Sequence, residues 1–121
     1  MPSLEELSKK SCQPCSGGVP PLPPAKVAEY LKAVPGWDLG ADAKSISRIY
    51  VMKDFLAAVK FIQKVADVAE ADDHHPDLHL TGYRKLRIEL STHSIGGLSE
   101  NDFILAAKIE GLPKELKEQK K

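Results

Sequence analysis

The sequence predicts an α+β domain: an antiparallel sheet of about four strands with helices packed on one face, in the order α-β-β-α-β-β-α. Residues 45–52 and 83–93 alternate apolar and polar side chains, as half-buried strands do. Three other segments, beginning near Ala25, Asp54 and Ser99, place apolar residues at helical spacing. Because alternating strands are typical of sheets with one solvated face, we expect the helices to cover the other face.

The first helix is predicted over residues 25–34, directly after Pro24, and it ends at Pro35-Gly36. Its helically spaced apolar residues are Val27, Tyr30, Leu31 and Val34. Residues 37–39 and 45–52 have strand character, and the GADAKS segment between them is rich in turn formers. These two segments therefore predict an antiparallel hairpin.

The longest predicted helix covers residues 54–71, which contain no Gly or Pro. Its expected buried stripe is Phe55, Val59, Ile62, Val65, Ala66 and Ala69. A residue that precedes proline is disfavoured in the helical conformation, so His75 before Pro76 should be extended. The helix should thus end near residue 72 or 73, which places His74 and His75 on a turn that leads into a strand.

The strand predicted over residues 83–93 has one apolar and one polar face. The first face comprises Leu86, Ile88, Leu90 and Thr92, and the second comprises Lys85, Arg87, Glu89, Ser91 and His93. After Gly96-Gly97, the S-x-x-D pattern from Ser99 to Asp102 predicts a capping box that opens the last helix. The apolar stripe of that helix is Phe103, Ala106, Ala107 and Ile109.

Length and charge indicate one domain with a small or neutral partner. The chain has 121 residues, with 17 Lys and Arg against 17 Asp and Glu. The basic residues are dispersed outside the tail, which argues against nucleic acid and a membrane surface, and no apolar run is long enough for a span. The N-terminus resembles neither a signal nor a transit peptide, so we expect a cytoplasmic protein. We divide the chain into an arm (1–23), a domain (24–112) and a charged tail (113–121).

The two cysteines, Cys12 and Cys15, form a C-Q-P-C motif in the arm. One such pair supplies only half of a four-ligand zinc site. A redox C-x-x-C is expected to follow a strand and open a helix, whereas this pair precedes an extended, Pro-rich segment. The pattern favours two ordinary thiols over a metal or redox site.

Three of the four histidines, His74, His75 and His79, lie in the segment EADDHHPDLHLTGY, and His93 ends the following strand. Imidazole is a common zinc ligand, but Pro76 prevents a continuous helix from presenting two of them one turn apart. Their turn and polar-face positions are unlike those of core histidines. A solvated polar turn and proton transfer near neutral pH both remain open on these residues alone.

Two acids frame the histidines. Glu70 lies near a helix C-terminus, where the dipole disfavours its charge, so its carboxyl could become protonated or pair with a nearby histidine. Its other interpretation is a solvated carboxylate in the last turn. Asp102 occupies the capping box, where a carboxylate stabilises the helix start whether or not it has a further function.

Together these residues resemble the pterin-4a-carbinolamine dehydratases. The resemblance is carried by E-A-D-D-H-H-P at residues 70–76, an aromatic at Tyr83, S-T-H at 91–93, G-L-S at 97–99, and Asp102. It extends from the first predicted helix through Gly36-Trp37 and the last helix to about Leu112. The chain departs from the pattern at Leu78, where many members have an aromatic residue, and in a longer stretch between Pro76 and Tyr83.

The resemblance implies an enzyme that dehydrates 4a-hydroxytetrahydropterin to quinonoid dihydropterin, after aromatic amino-acid hydroxylation, without a metal or an organic cofactor. It implies that His74, His75 and His93 are catalytic, that Glu70 and Asp102 support them, and that the pterin contacts the residues His74, His75, Pro76, Ser91, Thr92, His93 and Ser94. His79 lies outside the motif, and we assign it to the rim.

The family resemblance also implies self-association into a homodimer or homotetramer. The polar outer face of the strand at residues 83–93 predicts that this strand is an edge available for sheet pairing. A partner from an aromatic amino-acid hydroxylase pathway is a further expectation. The alternative function is a protein-interaction module on the same fold, since vertebrate relatives also serve as dimerisation cofactors of a transcription factor.

Overall fold

The computed structural model describes residues 4–9, 21–92 and 95–117. The elements in chain order are α1 (Leu4–Ser8), α2 (Pro24–Ala33), β1 (Asp38–Leu39), β2 (Ile46–Val51), α3 (Phe55–Asp72), β3 (Asp77–Thr81), β4 (Lys85–Leu90) and α4 (Glu100–Glu110). The predicted α+β class and four-stranded antiparallel sheet are confirmed, and α1 is a helix that the sequence did not predict. Cys12, Cys15, His93 and Ser94 lie outside the described residues.

The four strands are arranged in the order β1-β2-β4-β3, and every neighbouring pair is antiparallel. The register of β4 runs from Ile46↔Leu90 to Val51↔Lys85 against β2, and from Asp77↔Glu89 to Thr81↔Lys85 against β3. Because β4 is paired on both sides, the expectation that it forms a free edge is wrong. The edge beside it is β3, whose inward Leu78 and Leu80 pack against the core.

The core lies between one face of the sheet and the helices. Its sheet residues are Ile46, Tyr50, Leu86, Ile88 and Leu90, all buried. Helix α4 is buried on almost every side, because it packs against α1, α2 and α3. Leu7 of α1 is fully buried in this core. The first turn of α4, which carries Asp102, is therefore an interior feature of the fold.

The predicted stripe of α3 is only partly correct. Val65 and Ala69 are buried, but Phe55 and Val59 are exposed, and the buried positions also include Ala57, Ala58 and Phe61. Helix α3 has two apolar faces, which lie side by side at its start. The face that contains Phe61 covers the sheet. The other face is turned outward and leaves Phe55 56% exposed.

The C-terminal end of α4 is tied to β2 by Glu110. Its Oε1 atom accepts hydrogen bonds from Trp37 Nε1 at 3.0 Å and from the Tyr50 hydroxyl, and it contacts Arg48 Nη1 at 2.9 Å. Burial raises the pKa of Tyr50, and the Glu110 carboxylate raises it further, so the phenol remains a donor. No helix in the described ranges combines the length and apolar character that crossing a membrane requires.

Candidate functional site

The turn that follows α3 fixes the backbone of the first histidine. Asp73 adopts a left-handed conformation, with φ 51°, and its N–H and that of His74 donate to the Glu70 and Ala69 carbonyls at 3.3 and 3.1 Å. This is a Schellman motif, which satisfies carbonyls at a helix end. The predicted end of the helix at residue 72 or 73 is confirmed, and His74 and His75 lie between α3 and β3 as expected.

His74 points toward the first turn of α4, where it meets Asp102. The His74 Nε2 atom lies 2.6 Å from Asp102 Oδ1, although the residues are 28 positions apart in the chain. The Asp102 side chain is fully buried, and the His74 side chain is 12% exposed. The structure thus joins one predicted catalytic histidine to one predicted supporting acid.

Two further groups donate to the same carboxylate. The Thr92 hydroxyl donates to Asp102 Oδ2 at 2.9 Å, and the Ser99 backbone N–H donates to this oxygen at 3.0 Å. The oxygen atoms of an aspartate carboxylate can only accept hydrogen bonds. His74 must then donate from Nε2, which leaves Nδ1 as the ring nitrogen that can accept a proton when the imidazole is neutral.

Asp102 therefore has two functions in the structure, because its contact with Ser99 is also the reciprocal half of the predicted capping box. The Thr92 Oγ1 and Ser99 Oγ atoms are 2.7 Å apart. Since Thr92 gives its only hydroxyl proton to Asp102, Ser99 is the donor in this second contact. The capping box predicts the contact with Ser99, whereas nothing in the sequence predicts that Thr92 shares the carboxylate.

His75 is held differently. Its Nε2 atom lies 2.5 Å from Glu70 Oε2, and both side chains are largely exposed, at 56% and 75%. The pairing of Glu70 with a histidine is one of the three interpretations that the sequence leaves open. The two adjacent histidines thus point to different carboxylates, one buried and one in contact with solvent.

The segment that contains His93 is flanked by Thr92 and Gly97, both of which the structure describes. Thr92 N–H donates to the Gly97 carbonyl at 3.0 Å, and Leu22 N–H donates to the Leu98 carbonyl at 2.8 Å. A Cβ atom on Gly97 would lie 2.9 Å from Pro21 Cβ, so this close approach requires glycine. The segment before α2 therefore braces the C-terminal side of the loop. His93 and Ser94 are not described, and their placement stays a prediction.

A cleft of about 300 Å³ opens beside this loop. Its walls include Asp77, Ser91, Thr92 and Gly97. The β1–β2 connection closes one side with Asp42 and Lys44, two residues that the sequence did not single out. Thr92 links the cleft to the His74–Asp102 pair, because its hydroxyl contacts Asp102 directly.

Other residues that the sequence analysis singled out lie elsewhere. Tyr83 is 57% exposed at the β3–β4 turn, separated from the histidine turn by the whole of β3, which is roughly 17 Å long. His79 is exposed and pairs with Arg87 on the outer face of the sheet. Leu78 packs against the core. Within residues 4–9, 21–92 and 95–117, no three His, Cys, Asp or Glu side chains are grouped to hold a metal ion.

The chain is thus a small α+β domain in which two adjacent histidines contact two different carboxylates, an arrangement whose chemistry suits proton transfer. Residues 20–112 match the family described as Pterin 4 alpha carbinolamine dehydratase. The chain is 46% identical over 106 residues to a Halorhodospira halophila protein. The match covers 88% of this chain and 96% of that protein, whose name assigns it provisionally to the same family. The chain is also 46% identical to pterin-4-alpha-carbinolamine dehydratase 2, mitochondrial, of Arabidopsis thaliana, with 91% of this chain and 60% of the relative covered.

A solved structure agrees with these matches. The crystal structure of a transcriptional coactivator/pterin dehydratase from Brucella melitensis superposes with a TM-score of 0.70 at 33% identity, covering 74% of this chain and 95% of that one. The chain belongs to the pterin-4-alpha-carbinolamine dehydratase family. The resemblance inferred from the sequence is thereby confirmed, as is the prediction of an enzyme of the dehydratase, or hydro-lyase, type.

Proposed function

We propose that the protein dehydrates a 4a-hydroxytetrahydropterin to the quinonoid dihydropterin by histidine acid/base catalysis. The C4a–O bond breaks and the hydroxyl leaves as water, so its oxygen must receive a proton. The N5 atom loses its proton as the N5=C4a double bond forms. An acid and a base are therefore needed on one ring, with no net change in protons or electrons.

The contact between His74 Nε2 and Asp102 Oδ1 carries this proposal. A buried, ionised carboxylate that holds Nε2–H leaves Nδ1 free to accept the N5 proton. The imidazolium formed is stabilised by the adjacent charge of Asp102. Among the described residues, His74 Nδ1 has no hydrogen-bond partner of its own, which suits a group that contacts substrate.

The second proton-transfer role falls to His75 or His93. His75 is exposed and in contact with Glu70, so it can exchange protons with solvent between turnovers. We assign the pterin contacts to the cleft that Ser91 and Thr92 line. His74, His75 and Pro76 are not among its lining residues, so their contacts with the pterin, like those of His93 and Ser94, are part of the proposal. The cleft volume of about 300 Å³ is at the lower end of the range for small-molecule sites. The proposed reaction needs neither a metal nor an organic cofactor.

The test is the decay of freshly generated 4a-hydroxytetrahydropterin, followed by absorbance with and without the protein. His74→Ala should lower kcat by about 10²- to 10⁴-fold, the usual share of general acid/base catalysis. His93→Ala should have a comparable effect. His79→Ala is the matched control, since this exposed histidine lies opposite Arg87 on the outer face of the sheet, and it should retain the wild-type rate. No acceleration by the wild-type protein would refute the proposal.

A homodimer or homotetramer is part of the proposed biological unit. The outward face of α3 exposes Phe55 by 56%, Leu56 by 61% and Val59 by 42%. Three large apolar side chains on one helix face suit burial against a second copy. Sedimentation should show an oligomer that Leu56→Ser weakens, while Lys32→Ser on the exposed surface of α2 does not. A monomeric wild-type protein at high concentration would contradict it.

A second candidate function is a protein-interaction module. It is favoured by the Brucella melitensis relative, which is described as a transcriptional coactivator as well as a pterin dehydratase. The same exposed α3 face would then bind a different protein. A purified partner that binds His74→Ala as tightly as the wild type, in competition with self-association, would support this alternative.

The cellular setting completes the proposal. We place the enzyme in the cytoplasm, where it would act on the product of an aromatic amino-acid hydroxylase. The Arabidopsis thaliana relative is named as mitochondrial, which makes that organelle the alternative compartment. Localisation of a tagged full-length chain tests this assignment directly.

A further inference from the structure

An ion pair connects the two helices of the site, between Lys108, which lies outside the motif and the capping box, and Asp72, a motif position to which the sequence assigns no role. Lys108 Nζ donates to Asp72 Oδ2 at 2.6 Å, with the lysine side chain 20% and the aspartate side chain 7% exposed. Removing two charges from water carries a large desolvation cost, so a largely buried pair contributes little net stability. A pair of apolar residues would hold the helices together equally well. The position of this ion pair, and not its contribution to stability, therefore indicates its role.

The pair links the same two elements as the His74–Asp102 contact. Asp72 ends α3 just before the turn that carries His74, and Lys108 lies nearly two turns beyond Asp102 on α4. Two separate cross-links between the same elements fix both their distance and their relative rotation, whereas one would act as a pivot. The buried residues close to Asp72 and Lys108 in the chain include Ala69, Ala106 and Ala107, whose side chains are small.

The turn transmits the position of Asp72 to His74. Two backbone hydrogen bonds close it, from Asp73 and His74 to carbonyls of the last helical turn. The His74 ring therefore moves with the end of α3. Hydrogen bonds weaken steeply with distance and angle, and a displacement of about 1 Å at a reacting group can lower a rate by roughly 10²-fold.

We propose that Asp72 and Lys108 are positioning residues that hold His74 in register with Asp102. The catalytic part of this inference rests on the proposed dehydratase function, whereas the geometric part does not. Breaking the pair should loosen the His74 Nε2–H···Asp102 contact and slow the chemical step. It should leave pterin affinity nearly unchanged, because neither residue is among the cleft's lining residues.

The test uses Lys108→Met, with Lys108→Arg as the conservative variant and Tyr30→Phe as the matched control. Tyr30 donates to Glu100 on the same helix at 2.8 Å and lies outside the site. Lys108→Met should lower kcat at least tenfold with KM changed by less than about threefold, and Lys108→Arg should restore most of the rate. Nitrogen-15 NMR of the His74 ring should show a hydrogen-bonded Nε2–H in the wild type, in Lys108→Arg and in Tyr30→Phe, and a mixed or broadened signal in Lys108→Met.

The NMR signal separates this inference from the dehydratase proposal. If the wild type lacks activity but the His74 signal depends on Lys108, the positioning role stands and the dehydratase proposal falls. An unchanged His74 signal and rate in Lys108→Met would overturn the inference, as would equal losses in Tyr30→Phe. If Lys108→Met does not fold, the neutral double variant Asp72→Asn with Lys108→Gln is measured by the same criteria.

Discussion

Replacement of Asp102 by asparagine tests the central geometry of the site. Asp102 accepts from His74, from the Thr92 hydroxyl and from the Ser99 backbone N–H. Asparagine has almost the same shape but only one acceptor oxygen. The Ser99 N–H can only donate, so the amide oxygen should stay on the Oδ2 side and the NH₂ group should face His74. His74 must then accept at Nε2 and carry its proton on Nδ1.

The expected effects follow from this exchange of donor and acceptor. The contacts from Thr92 and Ser99 change from charge-assisted to neutral hydrogen bonds, a loss of about 1 kcal/mol each. The free energy of unfolding of Asp102→Asn should thus fall by about 2 kcal/mol. For a domain of this size, that lowers Tm by roughly 8 °C. Because the Nδ1 atom of His74 can no longer accept a proton, kcat should fall by about 10²- to 10⁴-fold.

Three measurements check this prediction. Thermal unfolding gives the stability change, the absorbance assay gives kcat, and nitrogen-15 NMR identifies the protonated ring nitrogen of His74. Thr92→Val serves as a control for the tautomer, since it removes a donor to Oδ2 and leaves Oδ1 to hold His74 Nε2–H. A folded Asp102→Asn protein with an inverted tautomer and a kcat within fivefold of wild type would refute the reasoning.

Two further predictions concern stability. Burial, with the hydrogen bond to Glu100, raises the pKa of Tyr30 to about 12, above its unfolded value of 10.0. The stability that the phenol contributes is therefore present below pH 10 and is lost as pH rises toward 12. The stability difference between wild type and Tyr30→Phe should vanish over that window, and a Tyr30 that ionises near pH 10 would contradict it. Asp73→Gly should raise the free energy of unfolding by about 0.5–1 kcal/mol, because glycine adopts φ 51° without a Cβ penalty. Unchanged or lower stability in urea would show that the aspartate side chain stabilises the turn.

The histidine turn could be predicted because the rules that fix it are local. Pro76 excludes the helical conformation at His75, and the described helix ends at Asp72 as that rule requires. The start of α4 was predictable for the same reason, since Ser99 and Asp102 are three residues apart. The contact of His74 with Asp102 was not predictable from the residues, because it depends on how α3 packs against α4. Only the family resemblance placed both residues in one site.

The errors arose where a local pattern had two solutions. Periodicity finds an apolar stripe on α3, but this helix has two adjoining stripes, and the pattern cannot tell which one faces the sheet. Phe55 and Val59 were assigned to the core because the sequence does not show that Phe61 reaches Tyr50, with ring centroids 5.3 Å apart. Likewise, alternation predicted the faces of β4 correctly but contained no information about its neighbours, so its central position was missed.

Helix α1 has a wider implication for how the site is kept in place. Its five residues have no sequence signal strong enough to predict a helix, yet Leu7 is fully buried among core residues beside α4. Helix α4 carries Asp102 in its first turn and Lys108 in its last, and it is covered by α1, α2 and α3. Three packed helices limit the movement of α4, so Asp102 is a fixed reference to which the end of α3 is aligned. Removing the Leu7 side chain should therefore weaken the fold and the site together, whereas Lys108→Met should affect mainly the site.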